Sequence, residues 1–429
     1  MFEAINKNFI EKNNKRFVKE QDKDFNYFQE KILKLKIDLN SLKKKVVDFN
    51  LALPSWGVGT GGTRFGRFPG IGEPTNIFEK IEDCAVVNDL TGSNSSISPH
   101  FPWDNVSDYS ELKDYANNYG LNFDLVNSNT FQDFSETKNS YKFGSLTNNK
   151  KAIRDKAIEL NIECIKKGKI LGSKGLTVWL GDGTNFPGQQ SFSKSLENYM
   201  KSMEEIYKKL PLDWKMLIEY KPYEPAFYST VINDWGTSYI CAKQLGPKAL
   251  SLIDLGHHLP NTNIEMIVSR LLGLNKLGGF HFNDSHYGDD DLDSGSINPF
   301  RLFLIFCELT NKKNIKKFNK ISYMIDQSHN VTDPIESLIL STDEILNAFV
   351  KSLLINFEEL ETLQLDNDII GINNLLKNAY NTDVRSLIKQ IRFENDNAIN
   401  PINTYRRLNY KENKSKIRRK KNSFSSGIV

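Results

Sequence analysis

The stretch ALSLIDLGHHLPNTNIEMIVSRLLGLNKLGGFHFND, residues 249–284, decides the fold. ALSLIDLG (249–256) and GGFHFND (278–284) are apolar runs of strand length. Between them, NTNIEMIVSRLLGLNKLG (261–278) begins on Asn, carries apolar residues at helical spacing and ends on Gly. Two strands joined by a helix-length crossover pair in parallel, because a short turn can only reverse the chain.

The same unit recurs along the chain. Strand-like runs stand at LALPSW (51–56), CAVVNDL (84–90), NFDLVNS (122–128), LTVWLG (176–181), KMLIEYK (215–221) and ISYMIDQ (321–327), which with the two above makes eight. Helical spacing marks 107–120, 149–170, 192–210, 261–278 and 298–313. Eight such units point to a (β/α)8 TIM barrel over 51–332 rather than an open sheet. Around it the sequence predicts an N-terminal helical arm (1–50), a C-terminal helical extension with oligomer contacts (333–405) and a basic flexible tail (406–429).

Composition narrows the class. The chain has 429 residues, 39% hydrophobic and 25% charged, the balance of a globular protein with a large core. No apolar run reaches the roughly 18–20 residues of a membrane helix. MFEAINKNFIEKNNKRF carries no signal-like apolar region, so a cytoplasmic protein is expected. Cys84, Cys164, Cys241 and Cys307 form no C-x-x-C and read as reduced residues. Residues 406–421 hold nine Lys/Arg against Glu412, so the tail supplies +8 and the body is mildly acidic at −5 of the net +3. Such a tail can bind nucleic acid or an anionic surface; the plainer reading is a solvated terminus.

In a barrel of this kind, chemistry gathers at the C-terminal ends of the strands. Four successive runs end there in Glu219, Asp254, His281 and Asp326. Apolar strands rarely end in charge unless it is paired or metal-bound, because burying a lone charge is costly. Carboxylates mixed with imidazole suit a divalent ion of the Mn/Mg/Co kind rather than a thiolate-rich zinc site. A second cluster lies just outside: His257, three residues after Asp254, with Asp289 and Asp291. Two divalent ions sharing Asp254 would account for this density of acids.

Other readings of the same residues are weaker. Asp289, Asp291 and Asp293 fit an EF-hand at positions 1, 3 and 5, but Ser294 replaces the required Gly and Phe300 the required Glu. Asp290 and Asp293 are expected to face solvent, and His258 and His286 to be hydrogen-bonded neighbours of the ligands. WGVGTGGTRFGRFPGIG (56–72) is neither a dinucleotide fingerprint nor a P-loop and reads as a flexible rim loop. Trp56, Trp103, Phe131 and Trp179 recur at strand ends with His100, which suits walls around a small organic ligand.

Together, LPSWGVGTGGTRFGRFPGIGEP, NDLTGSNSSISPHFPWD, IEYKPYEPAFYST, DLGHH, FHFNDSHYGDDDLDSGSINPF and IDQSHNVTDP resemble the bacterial L-rhamnose isomerases of the xylose isomerase-like barrel superfamily. The resemblance spans roughly residues 50–400. It implies a homotetrameric, metal-dependent aldose–ketose isomerase with two divalent cations, most often Mn2+, with Mg2+, Co2+ or Zn2+ as alternatives. It places Glu219, Asp254, His281 and Asp326 on the first ion, and Asp254, His257, Asp289 and Asp291 on the second. It implies catalytic roles for Lys221, Asp326, Asp291 and His100, the last in ring opening. Trp56, Trp103, Phe131 and Trp179 would line the sugar, and Phe65 would reach a neighbouring subunit's site. The rival is a metal-dependent nuclease of the related barrel type, with the basic tail on phosphates. Its sites carry more histidine than this chain offers, so a sugar is the expected partner, and neither nucleic acid nor a membrane is.

Overall fold

The computed structural model describes residues 3–58, 70–133, 138–224, 228–327 and 331–418. Among these residues, ten strand segments share one sheet, and every pairing within it is parallel. Two pairs of segments are successive pieces of one strand. The strands are then β1 (Ala52–Pro54), β2 (Ser96–Ser98 and His100–Phe101), β3 (Asn122–Phe123 and Val126–Ser128), β4 (Gly175–Val178), β5 (Lys215–Glu219), β6 (Ala249–Asp254), β7 (Leu277–Phe282) and β8 (Ser322–Ile325). Each pairs with the next, and β8 returns to β1 through Met324 and Ala52. The ring is closed, with a helix between successive strands: a (β/α)8 barrel.

The foot of the barrel is filled by Leu125, Leu217 and Leu252, with Leu250 against them. A Cβ on Gly278 would lie 2.4 Å from a Leu217 methyl and 2.5 Å from Leu250 Cβ. The paired glycines that open β7 therefore make room for this leucine layer.

The second strand lies elsewhere than expected. CAVVNDL belongs to the helix Ile77–Thr91, capped by Asn76 and closed by Gly92 in the left-handed region. Ile81, Cys84, Ala85, Val87 and Leu90 are fully buried, because this helix has the barrel on one side and C-terminal helices on the other. Burial all round erases the polar stripe that marks a surface helix, so the run imitates a strand. The true β2, SISPHF, is short, and Pro99 cannot donate to the ladder, which splits it in two. The helix Trp235–Leu245, started by Asp234 accepting from the Thr237 amide, was also not anticipated.

The N-terminal helices Lys7–Asn14, Val18–Lys34 and Leu39–Val47 bury Phe25, Phe28 and Ile32. They are tied to the C-terminal helices: Gln21 Nε2 donates to Ser386 O at 2.7 Å, and Asn14 Nδ2 to Asn397 O at 2.8 Å. Helix Pro334–Ser352 follows β8 and packs on Pro299–Thr310 as the eighth barrel helix.

The basic segment is not wholly a solvated tail. Residues 410–415 form a helix, and Lys411 and Arg418 are buried. Both cations meet the fully buried Asp83, at 2.9 and 2.7 Å, and Arg418 also binds Gly72 O at 2.8 Å. Lys414 pairs with Glu82 and Arg406 with Glu336. Four of the nine basic residues on which a nucleic-acid reading would rest, Arg406, Lys411, Lys414 and Arg418, are therefore engaged within the chain. Residues 419–429 lie outside the described residues. No helix among the described residues is long and apolar enough to cross a membrane, and the four cysteines are buried and unpaired.

Candidate metal centre

The barrel register sets the heights of the acidic residues. Asp254, the last residue of β6, stands opposite His281, which in turn stands opposite Met324, two residues before Asp326. Glu219 ends β5 and is paired with Leu252. Each strand thus delivers its polar group to one rim. One ligand atom from each of Glu219, Asp254, His281 and Asp326 lies within 4.8 Å of all the others. His281 Nδ1 is 3.2 Å from Glu219 Oε1, 3.1 Å from Asp326 Oδ2 and 3.7 Å from Asp254 Oδ2.

Burial raises the Asp254 carboxyl to about 6, against the pull of His257 and alongside the repulsion of Asp326 and Glu219. Asp326 is half-buried, and its desolvation raises the carboxyl, but the hydrogen bond and charge of His281, with the Trp56 N–H, outweigh this and hold it below its ordinary value. Burial disfavours charge on His281 as well, but Glu219 and Asp326 outweigh it and push its pKa well up. The cluster therefore attracts positive charge strongly. Asp254 Oδ1 accepts from Gly256 N and Asn283 Nδ2, while its Oδ2 is buried with no hydrogen-bond partner. A buried carboxylate oxygen with no donor, facing two other carboxylates and an imidazole, fits a hard divalent cation.

The second set converges less tightly. His257 Nε2 is 2.8 Å from Asp289 Oδ1, and Asp289 Oδ2 accepts from Lys221 Nζ at 2.6 Å. His257 Nδ1 is buried without a hydrogen bond. Asp289 and Asp291 both adopt left-handed backbone, at φ 57° and 51°, which Asp tolerates better than most side chains. The turn is organised by Asp290, expected to be solvated, which accepts from the amides of His286, Tyr287 and Gly288. Asp293, also expected in solvent, is instead half-buried and takes the Gln327 amide at 2.7 Å. Asp284 is buried and accepts from the Ile297 and Asn298 amides and from Arg301. His258 bonds Tyr220 Oη at 2.8 Å, and burial lowers its pKa to about 3.

A cavity opens beside the cluster, lined by Trp56, His100, Phe131, Trp179, Asp289 and Asp291 together with Glu219, His257, His281 and Asp326. Asn127, Ser128 and Thr177 also line it; they were not singled out from the sequence, although NFDLVNS and LTVWLG place them on β3 and β4. Trp103, half-buried, packs edge-on against His100 at 4.5 Å and does not line this cavity. His100 is buried, which lowers its pKa to about 4 and keeps the ring neutral, and its Nδ1 has no hydrogen-bond partner. Its backbone N–H binds Asp104, which also takes the Ser55 hydroxyl and the Lys80 ammonium, so the ends of β1 and β2 are tied together. Lys221 is 3% exposed and sits behind Asp289 and Trp179, not on the cavity surface. Phe65 lies outside the described residues.

No family model matches the chain. Two curated relatives do: a probable sugar isomerase of Mesorhizobium japonicum, 51% identical over 99% of each chain, and a probable sugar isomerase of Rhizobium meliloti, 51% identical over 95% of each. Among solved structures, an L-ribulose 3-epimerase shares the fold, with a TM-score of 0.50 and 14% identity over 75% of this chain and 98% of that one. At half its residues identical along nearly its whole length, the chain belongs to the family of these probable sugar isomerases.

Proposed function

We propose that this protein is a cation-dependent aldose–ketose isomerase acting on L-rhamnose and L-rhamnulose, with room for other aldoses. The observation that carries the reading is the convergence of Glu219, Asp254, His281 and Asp326, three of which line an aromatic-walled cavity, with Asp254 Oδ2 buried behind them and lacking a donor. These four would hold a first divalent cation. Asp254, His257, Asp289 and Asp291 would hold a second; Mn2+ suits both sets, and Mg2+, Co2+ or Zn2+ are alternatives. When bound, such cations supply Lewis-acid polarisation of the sugar's oxygens and offset the negative charge that develops on them.

Isomerisation moves one hydrogen from C2 to C1 while the hydroxyl proton moves from O2 to O1. Asp326 or Asp291, both in the cavity lining, would orient a water that relays that proton from O2 to O1. The neutral His100 imidazole can take and give a proton as the sugar ring opens. Lys221 brings positive charge toward O1. Trp56, Phe131 and Trp179 exclude water and offer apolar surface to a 6-deoxy sugar, whose terminal methyl needs no hydrogen-bond partner; Trp103 backs this wall through His100.

A homotetramer is part of the reading. The extension exposes Leu365, Ile369 and Ile370 on neighbouring helices, apolar surface suited to subunit contact, and light scattering tests it. The cation assignment is tested with Asp254→Asn: this variant should fold yet lose both cations in metal analysis. Full cation content would remove Asp254 from the site.

A further inference from the structure

We infer that Glu224 is the positioning residue for Lys221, holding its ammonium when Asp289 is engaged by a cation. The inference rests on the isomerase reading above. Lys221 Nζ lies between two carboxylates, Glu224 Oε2 at 2.5 Å and Asp289 Oδ2 at 2.6 Å, and all three side chains are nearly or fully buried.

The two partners differ in what else they serve. Asp289 also meets His257 through its other oxygen, and it lines the cavity. It belongs to the second cation set, and a cation drawing on its carboxylate competes with Lys221 for it. Glu224 belongs to neither of the cation sets proposed above. It sits on the short antiparallel hairpin of Tyr223–Glu224 and Tyr228–Ser229, away from the cavity wall. A Cβ on Gly181 would come within 3.3 Å of Glu224 Cγ, so the segment after β4 closes over the side chain.

The backbone of Lys221 is fixed independently. Its N–H donates to Ile232 O at 3.0 Å, and its carbonyl accepts from the Thr230 hydroxyl. What remains to be set is the direction of the long side chain and the retention of its charge in a buried place. A buried ammonium stripped of its last carboxylate is costly, so it needs a partner that does not leave. Glu224, three residues on, is that partner, and it would aim the ammonium past Asp289 and along the Trp179 ring, whose centroid is 5.4 Å away.

Sugar affinity is read from tryptophan fluorescence in Mn2+-loaded Glu224→Gln, Lys221→Met and the double variant, beside turnover of the wild type. Glu224→Gln should weaken binding by about tenfold, the scale of a lost hydrogen bond to a charged group. Its cation content should stay normal, and Glu224→Asp should recover part of the loss. In the Lys221→Met background the same change should cost nothing further, because Glu224 acts through Lys221. An equal loss in both backgrounds, or wild-type affinity in Glu224→Gln, would overturn the inference while leaving the isomerase reading intact. A wild type that turns over no aldose would overturn that reading first, and this inference with it.

Discussion

Trp56 donates its indole N–H to Asp326 Oδ1 at 2.9 Å, so the end of β1 is bonded to the end of β8 across the seam where the barrel closes. The other Asp326 oxygen faces His281 at 3.1 Å. One carboxylate thus joins the aromatic wall to the candidate cation cluster.

Replacing Trp56 by Phe keeps an aromatic wall and removes the N–H. Turnover should fall by about tenfold, as for a hydrogen bond to an ionised partner, with a smaller change in KM. Asp326→Asn should abolish turnover while the thermal transition stays near wild type. An active Asp326→Asn variant would take this residue out of the mechanism.

Cation affinity should depend on pH. A coordinating imidazole must be neutral, so the proton competes with the metal. Burial opposes charge on His257, but Asp254 and Asp289 outweigh it and hold the pKa at about 9. At neutral pH the ring must therefore lose a proton to bind. Apparent Mn2+ affinity should rise with pH, by about tenfold per unit for each proton released, and His281, whose pKa is also pushed well up, adds to that dependence. Below about 6, where Asp254 also takes a proton, the dependence should steepen. Calorimetric titration in buffers of different ionisation enthalpy counts the protons; a pH-independent affinity would remove His257 from the ligand set.

The C-terminal segment should matter to stability. Arg418→Ala leaves the fully buried Asp83 carboxylate with Lys411 and Tyr410 but without its guanidinium. Breaking a buried pair in this way costs about 3–5 kcal/mol, a readily visible drop in Tm. An unchanged Tm would show that this pair contributes nothing to the fold.

Most of the candidate site is legible in the sequence because its residues stand at strand ends. Glu219, Asp254, His281 and Asp326 each terminate an apolar run, and strand alternation fixed their common rim. The misplacement of the second strand has the opposite cause. The helix Ile77–Thr91 is buried on all sides and lost its periodic signature, while β2 is short and broken by Pro99. Glu224 does not stand out in the sequence, because what distinguishes it is a contact with Lys221 and not a position at a rim. The folded part of the basic segment was hidden too: nothing in RRLNYKENKSKIRRKK announces that Asp83, more than three hundred residues earlier, waits for Lys411 and Arg418.

The central claim is tested most directly by incubating the full-length protein with L-rhamnose, first after EDTA treatment and then after reloading with Mn2+, and quantifying the ketose formed. The account predicts no ketose from the stripped protein and steady formation of L-rhamnulose once Mn2+ is restored. Equal conversion with and without the cation would contradict it, as would no conversion of L-rhamnose or any other aldose by the metal-loaded protein.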